Sequence, residues 1–435
     1  MAPRASRLTL ERTVLANGLR VVVAPDHASP LVGVAVVYDV GFRSEPPGRT
    51  GFAHLFEHLM FQGSAHVAKM EHARLVEGAG GVFNGNTRSD LTTYYEALPA
   101  GALDLALWLE ADRMGAPAVT EENLANQIAV VEEEIKVNVL NQPYGGFPWI
   151  SLPALAFDTY PNAHNGYGDF THLERASVAD AVAFHARYYA PSNATLAVAG
   201  DCDPDQVVAL AERYFGPIAS RRAPVAGPWG EPAPREERRR VIDDPLAPQP
   251  AFALGYRTPD PVGDLTHHLA YVAAASVLGD GDASRLRERL MHHDHAVTDL
   301  GCSIGVFGGD SLMMRDPALF QVVVYHPDDV TADKLAATVH EEIARLGDDG
   351  CRVDELERVT AAFAGGFWQG VDSVNERAIM LASLETIHGD AGLLDELPGL
   401  LGAITPAAVA VAAADLASQP VARVEIHPAP DGEAT

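Results

Sequence analysis

The stretch His54-Leu55-Phe56-Glu57-His58 places two histidines four residues apart with a glutamate between them. On an α-helix, residues four apart lie one above the other, so both imidazoles can reach a single divalent ion. Glu57 leaves the helix from nearly the same face. It can take a proton from a water at that ion, as metal-assisted hydrolysis at neutral pH requires. The neighbours sharpen the reading: Phe52, Leu55, Phe56 and Leu59 fall on one apolar stripe, while His54, Glu57, His58 and Phe61 fall on the opposite side. A helix that turns its stripe to a core and three polar residues away from it is built like the wall of a site.

Before this helix, Leu15 to Ala24 contains an Asn17-Gly18 turn between extended stretches, a hairpin signal, and Leu31 to Val40 is a second β-branched run. The motif helix itself is predicted over Gly51 to Phe61, ending before Gly63. A short helix near Lys69 to Glu77 follows, then extended segments at Val82 to Asn86 and Leu91 to Tyr95. Helices are predicted at Ala102 to Met114 and at Glu121 to Leu140, the latter with Thr120 as N-cap. Pro148 to His172 has no clear period and reads as a long surface excursion. Helix (Val178 to Tyr188), strand (Ala194 to Ala199) and helix (Pro204 to Phe215) close a first domain, taken as residues 1–220.

Residues 221–250, rich in proline and in both charges, read as a linker. The remainder, 251–435, repeats the plan. Strands are expected at Ala251 to Tyr256, Ile304 to Phe307 and Ala318 to Tyr325, and helices at Leu265 to Leu278, Ala332 to Leu346 and Val353 to about Gly370. The helix–strand pair Thr405 to Leu416 and Pro420 to Ile426 echoes Val178 to Ala199. The predicted class is α+β: two homologous α/β-sandwich units, each an antiparallel-rich sheet packed with helices. The second unit has no His-x-x-Glu-His, so only the first is chemical and the second is non-catalytic.

Composition narrows the partners. A chain of 435 residues with 47% hydrophobic content can bury sizeable cores. It has no apolar run long enough to cross a bilayer, and MAPRASRLTLERTV lacks the apolar segment of a secretory signal. Cys202, Cys302 and Cys351 are too scattered for a disulfide framework or a metal pair, so a cytoplasmic location is expected. The net charge of −28 argues against nucleic acid or an anionic membrane as partner, because phosphate binding needs a basic surface.

A catalytic zinc takes three protein ligands and keeps one position open, so two histidines need a third group. Leu124, Ile128, Val131 and Ile135 form a helical stripe that includes Glu132-Glu133-Glu134 in its span. Glu133 points away from the core, while Glu132 and Glu134 flank the stripe, and periodicity does not choose between them.

Beyond the motif, the chain carries Asn17-Gly18-Leu-Arg-Val, Gly51 to Gly63, Gly80-Gly81-Val-Phe-Asn84, Thr87, Thr92, Tyr94, Gln127 to Ile135, Tyr188 to Ala194 and Gly200-Asp201. In these it resembles the inverted-zinc-motif peptidases of the pitrilysin, insulysin and mitochondrial processing peptidase type, in a short two-domain bacterial form. The resemblance is close in the first half and one of plan only in the second. It implies a zinc metalloendopeptidase that hydrolyses peptides or unfolded polypeptides, with the two units forming half of a clamshell. By resemblance the Zn2+ ligands fall on His54, His58 and Glu134, and the general base on Glu57. Gln127 stands where several relatives carry a second glutamate, and takes a hydrogen-bonding role behind the ligands. Asn84 matches the family's cleft-edge asparagine, and the strand it begins, with Gly85 and Thr87, is expected to bind substrate backbone.

One departure bears on partners. In relatives, an arginine and a tyrosine from the far half of the assembly polarise the scissile carbonyl. Here Ser284 to Ala296 and on to Phe307 offers Arg285, Arg287 and Arg289 but no tyrosine. A homologous partner subunit supplying that pair is therefore expected, in a heterodimer rather than a homodimer. Some relatives keep the fold as non-catalytic or assembly subunits. The glutamate between the histidines, which such a subunit does not need, argues for catalysis.

Overall fold

The computed structural model describes residues 8–224, 227, 229–306 and 311–428, so Met1 to Arg7 and the expected strand end at Phe307 lie outside the described residues. The β-branched runs of the first half form a sheet. Its strands are β1 (Glu11–Val14), β2 (Arg20–Pro25), β3 (Leu31–Tyr38), β4 (Val82–Thr87), β5 (Thr92–Pro99) and β6 (Ala194–Gly200), in the order β1-β2-β6-β3-β5-β4. Gly18, at φ +93°, makes the turn between β1 and β2. β6 lies parallel to β2, and every other pairing is antiparallel.

The second sheet comprises β7 (Arg238–Asp244), β8 (Ala251–Thr258), β9 (Asp299–Gly305), β10 (Ala318–Tyr325) and β11 (Ala422–Pro428), ordered β7-β11-β8-β10-β9. β11 is parallel to β7 and antiparallel to β8. Strand for strand this repeats β2-β6-β3-β5-β4, so the two sheets share a topology. β7 lies inside the expected linker. Its Arg238-Arg-Arg-Val-Ile-Asp-Asp244 sequence is charged because it is an edge strand, where charges face solvent and block further pairing.

The helices are α1 (Phe52–Leu59), α2 (Glu71–Gly78), α3 (Leu103–Gly115), α4 (Glu121–Ile135), α5 (Ser151–Ala156), α6 (Tyr160–Ala163), α7 (Phe170–Glu174) and α8 (Val178–Tyr188). They continue as α9 (Pro204–Tyr214), α10 (Leu265–Gly279), α11 (Ala332–Asp349), α12 (Val353–Val371), α13 (Val374–His388), α14 (Leu393–Gly402) and α15 (Pro406–Ser418). Thr120 caps α4 by accepting from the Asn123 amide at 3.1 Å, and Lys136–Leu140 continues as a wider π turn. The stretch 148–172 is not a bare excursion. It holds α5, α6 and the start of α7, with Leu152 and Phe157 buried, and its helices, of four to six residues, are too short to show a period.

The chain divides into two compact units that do not follow the expected 1–220 and 251–435 boundaries. The first gathers Met1–Val131, Gly166–Gly227 and Gly366–Leu397; the second gathers Glu132–Asn165, Pro228–Gly365 and Pro398–Thr435. The division falls inside α4, one turn before its end. The reason for the interleaving is coverage. Val32 to Tyr38 of β3 are buried along their whole length, so both faces of the first sheet need a layer. α13, from late in the chain, supplies one by packing on β3, β5 and β6. Thr386 and Thr195 hydroxyls meet at 2.8 Å, and Arg377 pairs with Asp26 at 2.7 Å. Gly33 permits the approach: a Cβ there would sit 2.2 Å from the Val374 carbonyl oxygen. In the second unit α5 packs on β7, β8 and β11.

Candidate metal centre

α1 begins sharply. Gly51 takes a left-handed conformation (φ +81°), and a Cβ there would lie 2.5 Å from the Tyr167 carbonyl oxygen. The buried Glu45 carboxylate accepts from the Gly51 amide at 2.9 Å and the Ala53 amide at 2.7 Å. A carboxylate at this end satisfies orphan amides and complements the helix dipole. Phe52, Leu55, Phe56 and Leu59 are buried, and Phe56 packs on Tyr189 with ring centroids 4.5 Å apart.

His54 and His58 are half-buried, with Nε2 atoms 3.2 Å apart and rings nearly perpendicular. Tyr167 sets its ring edge-on to His54 at 5.1 Å. Of the three consecutive glutamates, Glu133 is exposed, and Glu134 brings a carboxylate oxygen to the histidines: the ligand atoms of His54, His58 and Glu134 all lie within 4.8 Å of one another. Two nitrogens bound tetrahedrally to one zinc are about 3.3 Å apart, so two imidazoles and a carboxylate in this arrangement fit that ion.

Glu57 is buried, and its Oε2 accepts a hydrogen bond from Thr87 Oγ1 at 2.7 Å. Gly85, on the same face of β4, leaves room for the carboxylate: a Cβ there would lie 3.2 Å from Glu57 Cγ and Oε1. β4 is an edge strand, and among the described residues no strand pairs with its outer side. Asn84 is exposed; its side chain accepts from the Gly85 amide at 2.8 Å and is hydrogen-bonded to the Tyr95 phenol. Gln127 is buried, but its amide nitrogen donates to Asn126 at 2.8 Å, and among the described residues it makes no hydrogen bond to the three ligand candidates.

Behind the centre lies a buried ionic network absent from the sequence reading. His72 Nε2 sits 3.1 Å from Glu96 Oε1, and Arg113 clamps Glu110 through both oxygens, with Nε to Oε2 at 2.9 Å. The Arg113 guanidinium lies 4.9 Å from the Phe61 ring centroid and 4.5 Å from that of Tyr94. Burial raises both carboxyls to about 7 and lowers the His72 imidazole to about 3. Burial likewise pushes the phenols of Tyr94 and Tyr189 up, with the Glu57 charge adding to both, so they remain neutral hydroxyls. The available signal was Glu96 at a position where the alternation of β5 points inward. Glu45 and Tyr167 had no comparable signal.

The arginines of the second unit are engaged locally. Arg285 pairs with Glu355 at 2.9 Å, Arg287 with Asp299 at 2.9 Å and Arg289 with Asp294 at 3.0 Å.

Comparison with known proteins agrees with this architecture. Residues 20–148 match the model of the insulinase peptidase family M16, and residues 175–363 match that of the peptidase M16 inactive domain. The zinc protease PqqE of Helicobacter pylori is 25% identical over 386 residues, covering 88% of this chain and 82% of that protein. The crystal structure of a protease from the same organism superimposes with a TM-score of 0.88 at 23% identity, covering 97% of this chain and all of the other. The periplasmic protease PqqL from Escherichia coli aligns over 98% of this chain but only 48% of its own, with a TM-score of 0.77 at 20% identity. Matched over most of its length by two models of one family, the chain belongs to peptidase family M16, the insulinase family.

Proposed function

We propose that this chain is a zinc metalloendopeptidase acting on peptides or unfolded polypeptides, with Zn2+ held by His54, His58 and Glu134. The observation that carries the reading is the convergence of two imidazole nitrogens and the Glu134 carboxylate beside a second, separately held carboxylate, Glu57. Relatives named zinc proteases support it. When bound, zinc supplies a Lewis acid that polarises a carbonyl and lowers the pKa of water. Glu57 takes a proton from water as the water oxygen bonds to the carbonyl carbon. It returns that proton to the amide nitrogen as the C–N bond breaks. The outer edge of β4 receives the peptide as an added strand, with Asn84 at its rim.

A homologous partner subunit, in a heterodimer, completes the site with an arginine and a tyrosine. Two observations support this: the local pairing of Arg285, Arg287 and Arg289, and the match to about half of PqqL. Metal analysis and peptide turnover of the purified chain test both statements. Zinc is expected at about one per chain, lost in His58→Ala and weakened in Glu134→Gln. Turnover by the chain alone is expected to fall well below the usual range of about 1–10³ s⁻¹. A zinc-free wild type would remove the metallopeptidase reading, and an ordinary rate without a partner would remove the partner.

A further inference from the structure

We propose that Thr87 is a positioning residue for Glu57, so that the strand receiving substrate also aims the base. The inference rests on the reading of Glu57 as general base. Thr87 was expected to touch substrate, yet its hydroxyl is turned inward and donates to Glu57 Oε2 at 2.7 Å. Side chains two apart on a strand share a face, so Gly85 and Thr87 both front α1, while the outer backbone edge of β4 lies in the plane of the sheet.

The two residues act on the carboxylate in different ways. Gly85 supplies space, since its missing Cβ would come within 3.2 Å of Glu57 Cγ, of Oε1 and of the Phe61 ring. Thr87 supplies direction. A glutamate has three side-chain torsions, and one fixed oxygen removes most of the orientations the carboxylate could otherwise sample. Because Gly85, Asn86 and Thr87 pair with Tyr94, Thr93 and Thr92 of the buried β5, the anchor is itself held by the sheet. A peptide added to the outer edge of β4 takes its register from the same strand. The scissile carbonyl and the base are thereby indexed to one backbone.

The test compares Thr87→Val, which keeps the shape and removes the hydroxyl, with Thr87→Ser, which keeps the hydroxyl. Thr87→Val is expected to lower kcat by about 10–100-fold with KM within about twofold, because a misplaced group costs on this scale. Thr87→Ser is expected to stay within about threefold of wild type, and both variants to retain their zinc. Crystal structures give a readout independent of turnover: the Glu57 carboxylate should move in Thr87→Val and keep its place in Thr87→Ser. A raised KM with unchanged kcat would make Thr87 a substrate contact instead. Serine as slow as valine would make it a packing residue, and an unmoved Glu57 in Thr87→Val would overturn the proposal outright. If wild type and Glu57→Gln turn over alike, the general-base reading falls, while the two structures still decide whether Thr87 holds the carboxylate.

Discussion

Glu57→Gln is expected to abolish most turnover while leaving zinc bound. The amide keeps the size of the side chain and can still accept from Thr87, but it cannot take up a proton at neutral pH. General-base catalysis is worth about 10²–10⁴-fold, so kcat should fall by that order. His54, His58 and Glu134 are untouched by the substitution, and metal content should match wild type. Turnover against pH adds a second check: the residual activity of the variant should lose the limb that reports the base. Equal rates in the two proteins would end the assignment. Loss of zinc together with activity would show that Glu57 supports the ligands rather than the reaction.

Arg113→Met is expected to be the most damaging single change to stability, lowering the unfolding free energy by about 3–5 kcal/mol at pH 8. The guanidinium is the positive charge facing Glu96 and Glu110 inside the core, and it also lies over the Phe61 and Tyr94 rings. Removing it leaves carboxylates buried without a counter-charge. The pH dependence has a definite sign. Both carboxyls have folded values raised to about 7, against 4.5 for an ordinary glutamate, so between these limits the folded protein binds more protons than the unfolded chain. Their contribution is therefore present at low pH and lost as pH rises through 7. His72, held down to about 3, opposes this below pH 6.5, but as one group against two. The deficit of Arg113→Met should shrink on going from pH 8 to pH 5.5, and Arg113→Met with Glu110→Gln should recover much of it. Urea midpoints at the two pH values measure both effects. An equal loss at both, without rescue, would mean that the damage is lost packing rather than stranded charge.

Legibility differed from element to element, for physical reasons. α1 was readable because its apolar stripe is buried while His54 and His58 lie off it, and the strands beside it because they are short β-branched runs bounded by turn residues such as Asn17-Gly18. Glu134 was not separable from Glu132 by periodicity, since the choice depends on where α4 passes α1, a tertiary fact. α13 gave no stripe because Ala378, Leu381, Ala382, Leu384 and Ile387 are buried together with Arg377, Glu385 and Thr386, whose polar atoms find partners in the first unit. β7 looked like linker because an edge strand tolerates the composition of one. His72, Glu96, Glu110 and Arg113 are spread over α2, β5 and α3, and nothing in their spacing announces that they meet.

The late arrival of α13 bears on how the molecule comes into being. Every strand of the first sheet has been made once Gly200 is joined to the chain, but the helix that closes one of its faces ends at His388. At synthesis rates of about 5–20 residues per second, that face waits roughly ten to forty seconds, apolar and open to solvent. Contacts so distant in sequence also fold slowly, because a long loop must close before they form. The nascent chain thus presents a sticky surface through a large part of its own manufacture, a natural object for a chaperone. Nascent chains of increasing length should acquire protease resistance in their first half only after residue 388 has emerged from the ribosome.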